Sequence, residues 1–190
     1  MTAQRGDSPL ASGIDACQRH EDASGGHSWG YAISDGEKLE TFTQVGTIDT
    51  FAMSPEAEVA LVHTRLATRG EITEENAHPF LIHWHEPGGA SRTAALAHNG
   101  TWHDAPHDGR ADSWHVAREL EARLEDGVEL RDAVESLGAL TSETFIVVTD
   151  TARALVYSGR FRVTTDDLES PRVVQSSELD EIPTGSILEL

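Results

Sequence analysis

The sequence predicts an α+β domain built in layers, and three observations carry that prediction. Short apolar or alternating runs suited to strands fall between residues 27 and 98, and more fall between residues 144 and 189. Two consecutive amphipathic helices separate the groups. Strands gathered on either side of a helix pair, instead of alternating with helices singly, favour a layered α+β order over βαβ units. The length, 190 residues, is that of one domain, expected to span 1–190.

The first helix is expected over residues 9–23, with Leu10, Ile14 and Cys17 on one side. Ser8 suits its N-cap, and Pro9 its first position, where the missing N–H has no helical partner to lose. Gly25-Gly26 breaks it. His27 to Ser34 reads as a strand, Asp35-Gly36 as a hairpin signal and Leu39 to Val45 as the partner strand. Glu58 to His63 is a further strand around Val59-Ala60-Leu61-Val62. Thr64 to Ser91 reads as a long irregular stretch, interrupted by Pro79, Pro87 and Gly88-Gly89, before Thr93 to His98 returns to strand character.

Asp112 or Ser113 can cap a helix whose Val116, Leu120 and Leu124 recur every four residues, with Gly127 at its end. Leu130, Ala133, Val134 and Leu137 mark a second helix, expected to stop at Gly138. Thr144–Thr149 and Ala154–Tyr157 form a hairpin around Asp150-Thr151. Weaker strands are expected at 161–164, 172–175 and 186–189. Thr2-Ala3-Gln4-Arg5-Gly6 lacks the apolar character of a core strand.

Composition excludes several classes. Acidic side chains number 33 against 14 basic ones, a net charge of −19. A surface of that sign repels nucleic-acid phosphates. No apolar run approaches the length of a membrane span, and no basic-then-apolar leader opens the chain, so a cytoplasmic protein is expected. One cysteine, Cys17, rules out an internal disulfide and a cysteine-based zinc knuckle. Acidic residues are spread through most of the chain and Lys38 is the lone lysine, a pattern that looks like a halophile's protein. Such a surface is tolerable when counter-ions screen it.

Three segments spend unusual residues in irregular backbone. They are His27-Ser28-Trp29-Gly30-Tyr31-Ala32, then His63-Thr64-Arg65-Leu66-Ala67-Thr68-Arg69-Gly70 with Asn76-Ala77-His78-Pro79, and Ala97-His98-Asn99-Gly100. In this order and spacing they resemble the motifs of the class II, N-terminal-nucleophile glutamine amidotransferases, over about residues 27–158. Asp112-Ser113 falls where that family carries an Asp-Ser/Thr pair before a helix. Taken singly, Arg65 also suits a structural ion pair, Asp112 an N-cap and His98-Asn99-Gly100 a plain turn. Together they favour a glutamine pocket.

The resemblance implies an αββα sandwich, two antiparallel sheets between helical layers. It also implies hydrolysis of the glutamine side-chain amide to glutamate and ammonia, with no cofactor and no metal. Arg65 aligns with the arginine that holds the substrate α-carboxylate, a task suited to a planar guanidinium fork. Asp112 aligns with the acid that pairs with the α-ammonium, and Thr68 with a residue lining the pocket. Asn99 and Gly100 align with the oxyanion hole, an amide NH₂ and a backbone N–H aimed at developing negative charge.

The family nucleophile is a cysteine exposed after the initiator methionine; this chain has Thr2 there, at close to the family's usual separation from Ser28. Three readings stand side by side. Thr2 is itself the nucleophile, activated by its own α-amine; or the natural start differs and opens on Met-Cys; or the chain is an inactive homologue that binds glutamine or another amino acid, or serves as a scaffold. Cys17, within the first helix, reads as a buried structural cysteine. His27 and Arg69 replace the family's usual aspartate and histidine. His78 and His98 are expected to brace loops by hydrogen bonds, and the His83-x-His85 pair lacks a third ligand for a metal site. The tail from Ser176 to Leu190 resembles a closing turn and edge strand. No acceptor-activating domain is expected within the chain, so the resemblance implies a separate synthase subunit as partner to an enzyme acting on L-glutamine. Oligomeric state is left open.

Overall fold

Both faces of one strand set the layering. In β4 (Val59–Arg65) every residue is buried, which requires material against each side of the strand. Its alternate residues go to different cores. Ala60 and Val62 pack with Leu10, Ile14 and Cys17 of α1 (Pro9–Ser24), while Val59 and Leu61 face Ala95, Ala97, Ile146 and Val148 of a second sheet. The far face of that second sheet, through Ile82, Leu96, Phe145 and Val147, packs on Val116, Leu120, Leu124, Val134 and Leu137 of two further helices. The order is therefore helix, sheet, sheet, helices: the αββα sandwich. The computed structural model describes residues 1–5, 9–48, 56–159, 164–165, 173–175, 180–181 and 183–190.

The strand before α1 is β1 (Thr2–Arg5). After α1 and ahead of β4 come β2 (Ser28–Ser34) and β3 (Leu39–Val45). Beyond β4 follow β5 (Phe80–His85), β6 (Ser91–Asn99), α2 (Asp112–Glu125), α3 (Leu130–Thr141), β7 (Thr144–Thr149) and β8 (Ala154–Tyr157). Short strands β9 (Thr164–Thr165), β10 (Val173–Gln175), β11 (Asp180–Glu181) and β12 (Ile187–Glu189) complete the described chain. One sheet has the order β11-β9-β10-β1-β4-β2-β3, the other β12-β8-β7-β6-β5, and every pairing is antiparallel.

Several expectations are met to the residue, among them β3, β7 and β8. The closing tail supplies β12, whose Leu188 pairs with Val156. The Ser8 cap lies outside the described residues, as do parts of the strands expected at 161–164 and 172–175. Four readings need correction. The Thr2–Arg5 segment is a strand despite its polar composition, because it is laddered on both sides, Ala3 to Leu61 and to Val174. The stretch 64–91 contains β5, whose Phe80, Ile82 and Trp84 point inward while Leu81, His83 and His85 point out. The cap of α2 is Ala111, not Asp112 or Ser113. Finally, α3 runs through Gly138 and ends at Ser142 in the left-handed conformation.

Gly138 is there to admit a neighbour rather than to stop a helix. A Cβ at that position would lie 2.4 Å from Tyr157 ring carbons. Gly138→Ala is therefore expected to destabilise the protein by about 1–3 kcal/mol through overpacking, whereas helix propensity alone would have it stabilise by about 1 kcal/mol. Urea midpoints of the two chains decide the sign.

The outer edge of β5 is occupied by side chains of α2. Arg118 donates to the Leu81 carbonyl, the His83 N–H donates to Glu121 at 2.9 Å, and Arg118 and Glu121 pair with one another.

Candidate active site

Motif residues collect where β4 and β6 end and α2 begins. Arg65 closes β4, opposite Ser28 of β2, and its carbonyl accepts the His27 N–H at 2.8 Å. Its guanidinium is only 5% exposed, donating to the Arg69 carbonyl and, at 3.3 Å, to that of Glu71. Burial draws the guanidinium down from its ordinary pKa, and the nearby Asp112 carboxylate acts in the opposite sense. Asp112 itself is buried in the first turn of α2. Its Oδ2 accepts the Trp102 N–H at 2.7 Å and lies 4.0 Å from His98 Nδ1. A buried cation and a buried anion from two different elements thus share one site.

Asn99 ends β6, paired with Thr144 of β7. Gly100 follows with φ +144°, a conformation that disfavours side chains. A Cβ there would also strike the buried Glu143 carboxyl, 1.9 Å from its Oε2. Thr68 is exposed, its hydroxyl 3.2 Å from that of Thr101. Thr2 is laddered to Val62, three residues before Arg65, and to Gln175 on its other side. The α-ammonium of Met1 is close enough to His63 and His78 to lower their pKa values.

The rim is assembled by residues to which sequence reasoning gave no such role. Asn76 donates to the carbonyls of Glu71 and Gly109, both at 3.1 Å, and accepts the Ala111 N–H at 2.8 Å. It thereby joins the loop after Arg65 to the start of α2. Arg69 reaches the carbonyls of Trp102 at 2.6 Å and of His103 and Ala105 at 3.3 Å, and also contacts His107. His27 Nδ1 accepts the Ala67 N–H at 2.9 Å. Membership of the Asn-Ala-His-Pro motif was the one sequence signal for Asn76; the reach of Arg69 is tertiary.

The histidines divide. His98 Nδ1 is 2.9 Å from the Ser113 hydroxyl, the loop-bracing bond expected of it. The two ring nitrogens of His78 have no hydrogen-bond partner among the described residues, so its expected bracing bond is not made there. His78 instead packs on His63, ring centres 4.0 Å apart, with both rings buried and both pKa values held well below the ordinary histidine value. Burial is the leading cause, with neighbouring positive charge adding to it. Cys17 is buried and its thiol pushed up in pKa by that burial, an environment that disfavours a thiolate. No group of three or more histidine, cysteine or acidic side chains suited to a metal ion occurs among the described residues. None of the described helices is long and apolar enough to cross a membrane.

The family described as class-II glutamine amidotransferases matches residues 29–123, half of the chain, and takes in Arg65, Asn99, Gly100 and Asp112. The chain belongs to the class-II glutamine amidotransferases. No curated protein sequence matches it. Among solved structures, this amidotransferase chain is similar to a glutamine phosphoribosylpyrophosphate amidotransferase from B. subtilis complexed with ADP and GMP. The identity is 19% and the TM-score 0.73, covering 99% of this chain and 46% of that one. A structure described as the allosteric regulatory enzyme of purine biosynthesis gives 20% and 0.74, with the same coverage. At such identities the likeness concerns the fold, and the class-II chain spans less than half the length of either structure.

Proposed function

We propose that this chain binds L-glutamine and hydrolyses its side-chain amide to glutamate and ammonia, in the cytoplasm and for a separate acceptor-activating synthase subunit. The observation that carries the reading is the buried pair Arg65 and Asp112, opposite charges held at the ends of different elements within a family-matched segment. They suit the carboxylate and ammonium of one amino acid. Thr68 lines the pocket. Thr2 Oγ attacks the amide carbon while the α-amine of Thr2 takes its proton. The Asn99 amide and Gly100 N–H receive the charge that develops on the carbonyl oxygen. Collapse expels ammonia, protonated by the same amine, and water then hydrolyses the Thr2 ester.

One observation favours a second reading. Met1 packs against the inter-sheet core and carries the α-ammonium one residue ahead of Thr2. A chain that keeps Met1 has no free amine on Thr2, and it would bind glutamine without turnover.

The experiment is intact-mass determination followed by ammonia release from glutamine in molar salt, with Thr2→Ala as control. A mass lacking Met1, with turnover that vanishes in Thr2→Ala, is the expected result. Glutamine binding without turnover selects the binding homologue. Absence of both binding and turnover removes the pocket from the argument.

A further inference from the structure

The five-stranded sheet has a second recess at its opposite end. Arg92 and Asn99 stand near the two ends of β6, about 23 Å apart at ~3.3 Å per residue, so this recess is remote from Arg65 and Asp112. Three corners enclose it: the β5–β6 turn, the α2–α3 turn and the β7–β8 turn. The cavity measures about 550 Å³, a size that accepts a small organic ligand. Its apolar surface comes from buried Trp84, Leu124 and Leu130, with half-exposed Val128 at the lip.

The charges along its wall do not cancel. Arg92 donates to Glu86 at 2.9 Å and Arg153 donates to Glu189 at 2.8 Å, so each guanidinium already has its carboxylate. Asp150 has no cationic partner among the described residues. Its Oδ2 accepts the Thr93 N–H at 3.1 Å, and its Oδ1 is buried with no hydrogen-bond partner among those residues. Glu129 adds a second carboxylate, engaged in capping α3. A cavity with surplus negative charge, in a protein of net charge −19, disfavours anions. A neutral ligand leaves the Asp150 charge uncompensated. An ammonium on a flat apolar body answers both surfaces, with its ring against the indole and its charge toward the carboxylate.

We infer that the cavity between the Trp84 floor and the Asp150 carboxylate binds a small organic ammonium with an aromatic body. The inference is independent of glutamine hydrolysis, since it uses neither Arg65 nor Asp112.

The test is calorimetric titration of the full chain in molar KCl, which screens the overall charge. The probes are phenethylamine, 2-phenylethanol and 3-phenylpropionate, one skeleton carrying positive, zero and negative charge. Saturable one-to-one binding of the amine is expected, at least tenfold tighter than either analogue. Asp150→Asn keeps an acceptor for Thr93 but removes the charge, and should lower amine affinity at least tenfold. Gly88 lines the cavity, and a Cβ added there meets nothing within 4 Å, so Gly88→Trp should fill the recess without disturbing the fold and abolish binding. Equal affinity for amine and alcohol, amine binding indifferent to both substitutions, or no saturable amine binding would each overturn the inference.

Discussion

Arg65→Lys is expected to weaken glutamine binding at least tenfold while the chain stays folded. A lysine keeps the positive charge opposite Asp112 but loses the planar fork that meets two carboxylate oxygens at once. Arg65→Ala is the poorer test. The guanidinium also holds the carbonyls of Arg69 and Glu71, and an orphaned buried acceptor costs about 1–3 kcal/mol. Alanine would thus confound binding with the integrity of the 66–71 loop. Calorimetry with glutamine, beside thermal unfolding of the same samples, separates the two effects. Asp112→Asn sharpens the comparison, because asparagine still accepts the Trp102 N–H yet no longer attracts an ammonium. That variant should lose affinity for glutamine but not for 4-carbamoylbutanoate, which lacks the α-amine. Unchanged glutamine affinity in Arg65→Lys would take the carboxylate clamp away from this residue.

Stability should collapse on mild acidification, well before carboxylates titrate. His63 and His78 are buried against one another, and burial together with the surrounding positive groups keeps both neutral in the folded chain. For His63 those groups are His78, the N-terminal ammonium, His98 and Arg65; for His78 they are His98, Arg65 and the N-terminal ammonium. In the unfolded chain each imidazole takes a proton near pH ~6.5. Below that pH the unfolded state binds more protons than the folded one, so stability is whole above it and falls as pH drops. The slope for two such groups is about 2.7 kcal/mol per pH unit, steep against a total stability of roughly 5–15 kcal/mol. Urea midpoints at pH 7.5, 6.5 and 5.5 in constant salt should show a plateau and then a sharp decline. His78→Gln should halve the slope. A flat profile between pH 6.5 and 5.5 would contradict the neutral buried pair.

The readable parts of the sequence were those in which local pattern and tertiary environment agree. Val59-Ala60-Leu61-Val62 reads as a strand because both its faces are covered, and β3 reads as one because it alternates beside a hairpin signal. The motif residues Arg65, Asn99, Gly100 and Asp112 do fall at neighbouring element ends, as their order implied. Misreadings arose where a distant residue decided the outcome. Gly138 looked like a stop until the Tyr157 ring accounted for it. β5 was hidden by flanking Pro79 and Pro87, although its own period of two was present. The polar Thr2–Arg5 segment gains its strand from ladders to residues about sixty and one hundred and seventy positions onward. The bonds of Arg69 to residues 102–107 span more than thirty positions of sequence, so no local pattern encodes them.

The side chains along the outer rim of β5 bear on how the protein behaves in a crowd. An uncovered strand edge invites any stray extended peptide to continue the ladder, which is the first step of aggregation. On this strand the carbonyl of Leu81 and the amide of His83 are already engaged, by Arg118 and Glu121. The ion-paired couple imitates a missing neighbour and ends the sheet without an extra segment of chain. Concentrated protein, including copies still emerging from the ribosome, therefore meets an occupied margin there instead of an open template.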